Sequence, residues 1–235
     1  MTLKDAIERF AIPFRPVTDN VTTLRYPEDA RLARNVANVP IMAGTNANEA
    51  TSFIVGQTNA TAFVGSVFYS QPEVVQPILS AYPSTGAEQV DHIYTDFGFL
   101  CPVAIYTNDS HAAGFPTWRY FYNTTFPNIQ LAGLPTAGVF HSSEISMVFG
   151  TYPRVNSTEY QKALSQYMQT SWATFAKNPY GGPGWQGVPA VASLGGGGIL
   201  NTPTSAGVLD KNCHLYRETF EELGIASKNE TGTLQ

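Results

Sequence analysis

Val39-Pro40-Ile41-Met42-Ala43-Gly44-Thr45-Asn46-Ala47-Asn48-Glu49 runs from an apolar stretch, through a glycine, into a polar turn, and its reading decides the fold. The first half is apolar without polar alternation, the pattern of a strand buried in a parallel sheet, where proline is tolerated only near the start. Thr45 to Glu49 then turns toward a helix. A second strand is Trp118-Arg119-Tyr120-Phe121-Tyr122, dense in aromatics and preceded by the breakers Gly114 and Pro116. Between the two strands, apolar residues recur at helical spacing over 73–82 and 91–111, where Phe97, Leu100, Cys101, Ala104 and Ile105 form one stripe. Pro102 predicts a kink there or a fresh first turn. Strands separated by long helical stretches predict α/β architecture with a mostly parallel sheet.

Working outward, residues 1–37 are broken by prolines into short helical patches and loops. Residues 123–138 read as a loop and 179–198 as irregular, since both are punctuated by Pro and Gly. The clearest helix is 157–177, opened by a capping box of Thr158 with Gln161 and closed by Lys177-Asn178-Pro179. Its face of Tyr160, Leu164, Tyr167, Met168, Ser171 and Phe175 is a core face. A last amphipathic helix is predicted over 209–223, stopped by Gly224. Two or three convincing strands fall short of the five or six of an average sheet, as expected of half a domain.

With 43% hydrophobic residues among 235, the chain can bury a sizeable core. Only 13% of residues are charged and the net charge is -5, so no basic face exists to neutralise phosphates, and nucleic acid is not expected as a partner. Uncharged apolar runs such as 97–105 reach about half of the roughly 20 residues a membrane span needs, so no span is predicted. The first eight residues carry two acids, Asp5 and Glu8, and no apolar stretch, so a signal peptide is expected to be absent from this chain. Yet Asn-X-Ser/Thr sequons occur at Asn20, Asn59, Asn108, Asn123, Asn156 and Asn229. Roughly two would arise by chance, and the excess points to glycosylation on an extracellular, secreted route. Together these observations predict that Met1 is not the start of the functional polypeptide. Cys101 and Cys213 match neither a metal-binding spacing nor a redox pair; the residues alone leave open one disulfide or two separate buried thiols.

No GxGxxG, P-loop, HExxH or clustered Cys/His set is present, so no cofactor or metal is expected. Acyl transfer remains to test. A Ser-His-acid hydrolase needs its serine on a Gly-x-Ser-x-Gly elbow, because only small neighbours allow that strained turn. None is found: the nearest decoy, Pro203-Thr204-Ser205-Ala206-Gly207, has proline for the first glycine and no apolar strand ahead of it, and Ser205 is rejected. Candidates for the other two members follow in the order such hydrolases use, each on a loop after a strand: Glu49 as acid and His141 as base. Asp96 is the alternative acid. His92, His111 and His214 lie on predicted helices and are assigned no chemistry. Glu144 reads as a brace of the turn after His141. Phe140, Phe149 and Tyr152 suit pocket lining or plain packing equally.

Phe14-Arg15-Pro16-Val17-Thr18-Asp19, Gly44-Thr45-Asn46-Ala47-Asn48-Glu49-Ala50-Thr51-Ser52-Phe53 and Thr95-Asp96-Phe97-Gly98-Phe99-Leu100-Cys101-Pro102 resemble consecutive blocks of the type-B carboxylesterases. Gly138-Val139-Phe140-His141-Ser142-Ser143-Glu144 and Trp172-Ala173-Thr174-Phe175-Ala176-Lys177 continue the resemblance in order. That family includes cholinesterases, fungal lipases and the adhesion proteins called neuroligins. The resemblance implies an α/β-hydrolase fold of which 1–235 is the C-terminal portion. The N-terminal half that supplies the nucleophilic serine and the oxyanion glycine loop would be absent. It makes Glu49 the triad acid and His141 the general base, and places Cys101 and Cys213 at a C-terminal disulfide. Two departures stand out: Asn48-Glu49-Ala50 replaces the usual Asp-Glu-Gly, and Ser142 follows the histidine where glycine is frequent. The function implied is hydrolysis of small-molecule or lipid-like carboxylic esters, with this chain alone inactive. The alternative is a non-catalytic, neuroligin-like adhesion member of the same fold, against which the presence of both Glu49 and His141 argues.

Overall fold

The computed structural model describes residues 17–227; the Asn229 sequon and the Phe14-Arg15-Pro16 segment lie outside them. Strands β1 (Ile41–Asn46), β2 (Thr117–Tyr122) and β3 (Ala190–Leu194) run parallel, and β4 (Asn201–Ser205) adds antiparallel to β3, giving the order β1-β2-β3-β4. Helix α1 (Pro27–Leu32) precedes β1. The crossover from β1 to β2 holds α2 (Ala60–Val67), α3 (Val75–Ala81), α4 (Gly86–Thr95) and α5 (Cys101–Ala112). The crossover from β2 to β3 holds α6 (Ile145–Val148) and α7 (Glu159–Lys177), and α8 (Ala206–Leu209) and α9 (Arg217–Leu223) follow β4. This is a partial, mostly parallel sheet with flanking helices, the architecture the resemblance implies.

Helices cover both faces because side chains alternate along each strand. On β2, Phe121 packs against a cluster that includes Val64, Phe68, Ile93, Ile105 and Phe220 on one side. Tyr120 and Tyr122 pack with Met147, Leu164, Met168 and Leu194 on the other. Strand β1 is less buried than its apolar pattern predicts: Ile41 to Gly44 are half-buried, because among the described residues no strand pairs with its outer edge. Gly44 has a steric reason. The Tyr120 ring lies across it, and a Cβ there would fall 2.4 Å from a ring carbon.

The strand count exceeds expectation. In the stretch read as irregular, Ala190-Val191-Ala192-Ser193-Leu194 pairs with β2 through Arg119 to Tyr122. Its small residues carry little apolar signal between Pro189 and Gly195. Pro203 sits in β4, an edge strand, where a missing N–H is tolerated. The predicted helix over 91–111 is α4 and α5 joined by a π-helical turn at Asp96–Leu100, with Pro102 in the first turn of α5. The last helix is broken into α8, a 3-10 turn at Cys213–Tyr216, and α9. In α7 half of the capping box forms. Thr158 Oγ1 accepts from the Gln161 N–H at 3.0 Å, while the Gln161 amide donates to Asn128 Oδ1 at 2.9 Å instead of returning to the cap.

Two links tie the chain end to the sheet. Arg119, 1% exposed on β2, donates two hydrogen bonds to Asp210 at 2.7 and 2.8 Å. Cys101 at the start of α5 forms a disulfide with Cys213, and both are fully buried. Among the described residues no helix is long and apolar enough to cross a membrane. Asn20, Asn59, Asn123 and Asn156 are exposed, whereas Asn108 is half-buried on α5 and the hydroxyl of its sequon, on Ser110, donates to the Tyr106 carbonyl.

The disulfide closes a separation of 112 residues, for which the chain-entropy account sets an upper limit near about 5 kcal/mol. Replacing both cysteines by alanine should therefore lower unfolding stability by about 2–5 kcal/mol in a urea titration. A loss below about 0.5 kcal/mol would show that the cross-link does not constrain the unfolded chain.

Candidate active site

Strands β1 and β2 end side by side, Asn46 opposite Tyr122, so the segments that follow them leave over the same rim. The ladder continues one step, with the Ala47 N–H donating to the Tyr122 carbonyl at 3.1 Å. The loop after β2 then returns to lie beside the turn after β1. The Asn48 N–H donates to the Val139 carbonyl at 3.0 Å, and the Val139 N–H donates to Asn48 Oδ1 at 3.1 Å. Gly138, at φ +65°, is required for this approach, since a Cβ there would lie 2.5 Å from Asn48 Oδ1. Asp91 on α4 fixes the other side of the turn, accepting from Asn48 Nδ2 at 2.8 Å and Thr51 Oγ1 at 2.9 Å. The Ala50 N–H donates to Thr95 Oγ1 at 3.1 Å.

These bonds bring Glu49 Oε2 within 2.6 Å of His141 Nδ1, across 92 residues of sequence. The two candidates thus meet. The carboxylate is buried and its Oε1 accepts from the Asn46 N–H at 2.7 Å. Burial pushes the Glu49 carboxyl above the ordinary carboxylate range; the Asn46 N–H and His141 pull it back, and the charge of Glu144 adds to the rise. His141 is different: 45% of its side chain is exposed, and Nε2 makes no hydrogen bond among the described residues. Phe53 and Phe99 flank the ring at 5.4 and 5.3 Å between centroids. With Nδ1 committed to the carboxylate, such a ring can take a proton at Nε2 and return it.

Ser142 adopts φ +72°, the left-handed region that favours glycine. The departure seen in the sequence is therefore a backbone cost, of about 1 kcal/mol. Glu144 braces the turn as expected, its Oε2 accepting from Asn46 Nδ2 at 2.6 Å.

The remaining candidates lie apart. Asp96 accepts from the Tyr82 hydroxyl at 2.6 Å and faces a cavity of about 460 Å³ that His92, Lys211 and Asn212 also line. Burial pushes its carboxyl up to about 6. His92 contacts Ser84 Oγ at 3.2 Å, and His214 lies 2.8 Å from the Lys211 carbonyl. Tyr152 is core, Phe149 is exposed, and Phe140 lines a separate cavity of about 370 Å³ with the 125–138 loop. Among the described residues no group of His, Cys, Asp and Glu could hold a metal ion. The sequence reading passed over Phe53 and Phe99. Phe53 lies four residues past Glu49 in a run of turns, where no periodic pattern marks it in the sequence.

The sequence model of the Carboxylesterase family matches residues 2–189. The chain belongs to the carboxylesterase family. It is 28% identical over 185 residues to Secreted lipase 5 of Gibberella zeae, a match covering 75% of this chain and 30% of that protein. It is 36% identical over 91 residues to the Chlorogenic acid esterase of Aspergillus niger, covering 38% of this chain and 17% of the esterase. It is 25% identical over 179 residues to the Para-nitrobenzyl esterase of Bacillus subtilis, covering 72% of this chain and 35% of that enzyme. This carboxylesterase-family chain thus spans about a third or less of the length of these relatives.

Asp96 holds its proton more tightly folded than unfolded. The stability this contributes is complete below about pH 4 and is lost as pH rises through about 6. Asp96→Asn, which keeps an acceptor for Tyr82, should raise stability at pH 8 by up to about 3 kcal/mol and give no gain at pH 4. Thermal melts at the two pH values decide it; a gain independent of pH would contradict the assignment. Ser142→Gly should raise stability by about 1 kcal/mol in the same assay, and a loss would show that the Ser142 side chain contributes more than its backbone costs.

Proposed function

We propose that the chain supplies the acid and the base of a Ser-His-Glu triad in a secreted carboxylic-ester hydrolase. The 2.6 Å contact of Glu49 with His141 at the rim where two parallel strands end carries this reading. His141 Nε2 takes the proton of a serine hydroxyl as its oxygen bonds to the ester carbonyl carbon. The same proton passes to the alcohol-side oxygen as the single bond between it and the acyl carbon breaks, the carbonyl re-forms and the alcohol departs. Water then repeats the two transfers on the acyl-enzyme, releasing the acid and the free serine. Glu49 holds the Nδ1–H tautomer and stabilises the imidazolium.

The nucleophile comes from outside these 235 residues, since none of their serines lies on a Gly-x-Ser-x-Gly elbow. Substrates are neutral small-molecule or lipid-like esters. The disulfide, the exposed sequons at Asn20, Asn59, Asn123 and Asn156 and the likeness to a protein named as a secreted lipase support an extracellular, glycosylated product.

p-Nitrophenyl acetate tests the assignment. The chain alone should release no stoichiometric burst of p-nitrophenol, because triad members act as a unit. A longer polypeptide that carries the serine elbow ahead of Met1 should show the burst, and Glu49→Gln in it should lower kcat by about 10⁴-fold. A burst from the chain alone, or a His141→Ala variant of the longer form with undiminished kcat, would overturn the proposal.

A further inference from the structure

We infer that Asn46 is the residue that positions His141 against Glu49, by anchoring the acid turn and the base loop at the same time. The inference rests on the triad reading above and adds a residue to it.

Asn46 closes β1 and is 1% exposed. Its backbone N–H donates to Glu49 Oε1 at 2.7 Å, which fixes one carboxylate oxygen and leaves Oε2 for the imidazole. Its side-chain amide donates to the Phe140 carbonyl at 2.9 Å and to Glu144 Oε2 at 2.6 Å, with Ser143 Oγ more distant at 3.5 Å. Phe140 precedes His141 by one residue and Glu144 follows it by three. The base is therefore suspended between two acceptors gripped by one amide, while the acid is gripped by the backbone of the same residue.

The chemistry of the position selects asparagine. The groups that its backbone and side-chain N–H donors reach are acceptors: two carboxylates, a carbonyl and, at the limit of range, the Ser143 hydroxyl; its own Oδ1 is buried with no partner among the described residues. An aspartate of the same shape would offer no side-chain donor and would set a third negative charge beside Glu49 and Glu144. A serine hydroxyl carries one donor where two acceptors wait. The bond to Glu144 is of the charge-assisted kind, the stronger class. The base loop also needs an anchor of this sort, because Ser142 holds a left-handed conformation that an unconstrained serine would leave.

The test reads the His141 ring in the 235-residue chain, by the ¹⁵N shifts of its two nitrogens at a pH where imidazole is neutral. The wild-type ring should be the Nδ1–H tautomer. Glu49→Ala should shift the ring toward Nε2–H, and Asn46→Ala should lower the ratio of Nδ1–H to Nε2–H by about tenfold, as expected when a bond to a charged partner is lost. Thr158→Ala, which removes the cap of α7, is the control for general destabilisation and should leave the ratio unchanged. Asn46→Asp should disturb the ring like the alanine variant, and Asn46→Asp with Glu144→Gln should recover at least half of the effect, because amide and carboxylate have exchanged places across the same bond. Should Asn46→Ala not fold, the aspartate variant and the exchanged pair decide the matter. If Glu49→Ala leaves the tautomer as it was, the acid–base reading itself fails. If Glu49→Ala shifts it and no Asn46 variant does, or the exchanged pair recovers nothing, Asn46 is not the anchor although the pair stands.

Discussion

Parallel pairing of β1 with β2, in the register that sets Asn46 beside Tyr122, is the constraint from which the candidate site follows. Parallel strands need long crossovers, and their carboxyl ends open on one rim. Glu49 lies three residues past one such end and His141 nineteen past the other, so the longer loop must fold back on the shorter. A slip of one residue would turn every side chain of β1 to the opposite face. Tyr120 would no longer lie across Gly44, and the Asn46 amide would point away from Phe140 and Glu144. Close packing of that glycine against that ring is therefore part of how the two reactive groups find each other.

The surroundings of the rim are rich in carboxylates, and each is held by a different kind of partner. Asp210 has a buried guanidinium, Arg119. Asp91 has the Asn48 amide and the Thr51 hydroxyl, and Glu144 has the Asn46 amide. Asp96 has the Tyr82 phenol and the Asn212 side chain, and His92 also favours its charge, but burial outweighs all three and its proton is retained to about pH 6. Glu49 alone among these is hydrogen-bonded to an imidazole. Its burial works against ionisation, while the Asn46 N–H and the ring work for it. Apart from the Arg119–Asp210 pair, neutral donors steer these carboxylates without cancelling their charge, and the charge of Glu49 is left to act on His141.

Legibility in the sequence followed the range of the forces involved. β1 and β2 have short apolar or aromatic runs and α7 has a period of 3.6, all with clear breakers, and each lies where those patterns place it, within two residues. β3 and β4 do not, because small residues, Thr and an edge proline form strands only when a neighbour offers its hydrogen bonds. Glu49 and His141 could be named from chain order and from the family resemblance, and the structure brings them together. The two readings of Cys101 and Cys213 are separated only by tertiary proximity. Asn46 acts across 94 and 98 residues of sequence, through bonds that no local pattern encodes. Ser142 is the intermediate case: its departure from glycine is visible in the sequence, and its meaning appears only in its φ angle.

In the proposed chemistry the labour is divided unevenly along the polypeptide. Oxyanion stabilisation, usually the largest single contribution to acyl transfer, needs donors aimed at the developing charge, and these, like the serine, are assigned in that proposal to a segment ahead of the present residues. What these residues control is the proton. Because Glu49 fixes Nδ1, and Phe53 and Phe99 pack beside the ring, the direction of Nε2 is set before any serine arrives. A nucleophile must therefore fit an imidazole that is already oriented, which moves the entropic cost of alignment from the reaction to the folding of this segment. Such preorganisation asks for rigid supports, and the disulfide, the Arg119–Asp210 pair and the grip of Asn48 on Asp91 and Val139 all brace the elements that carry the two groups.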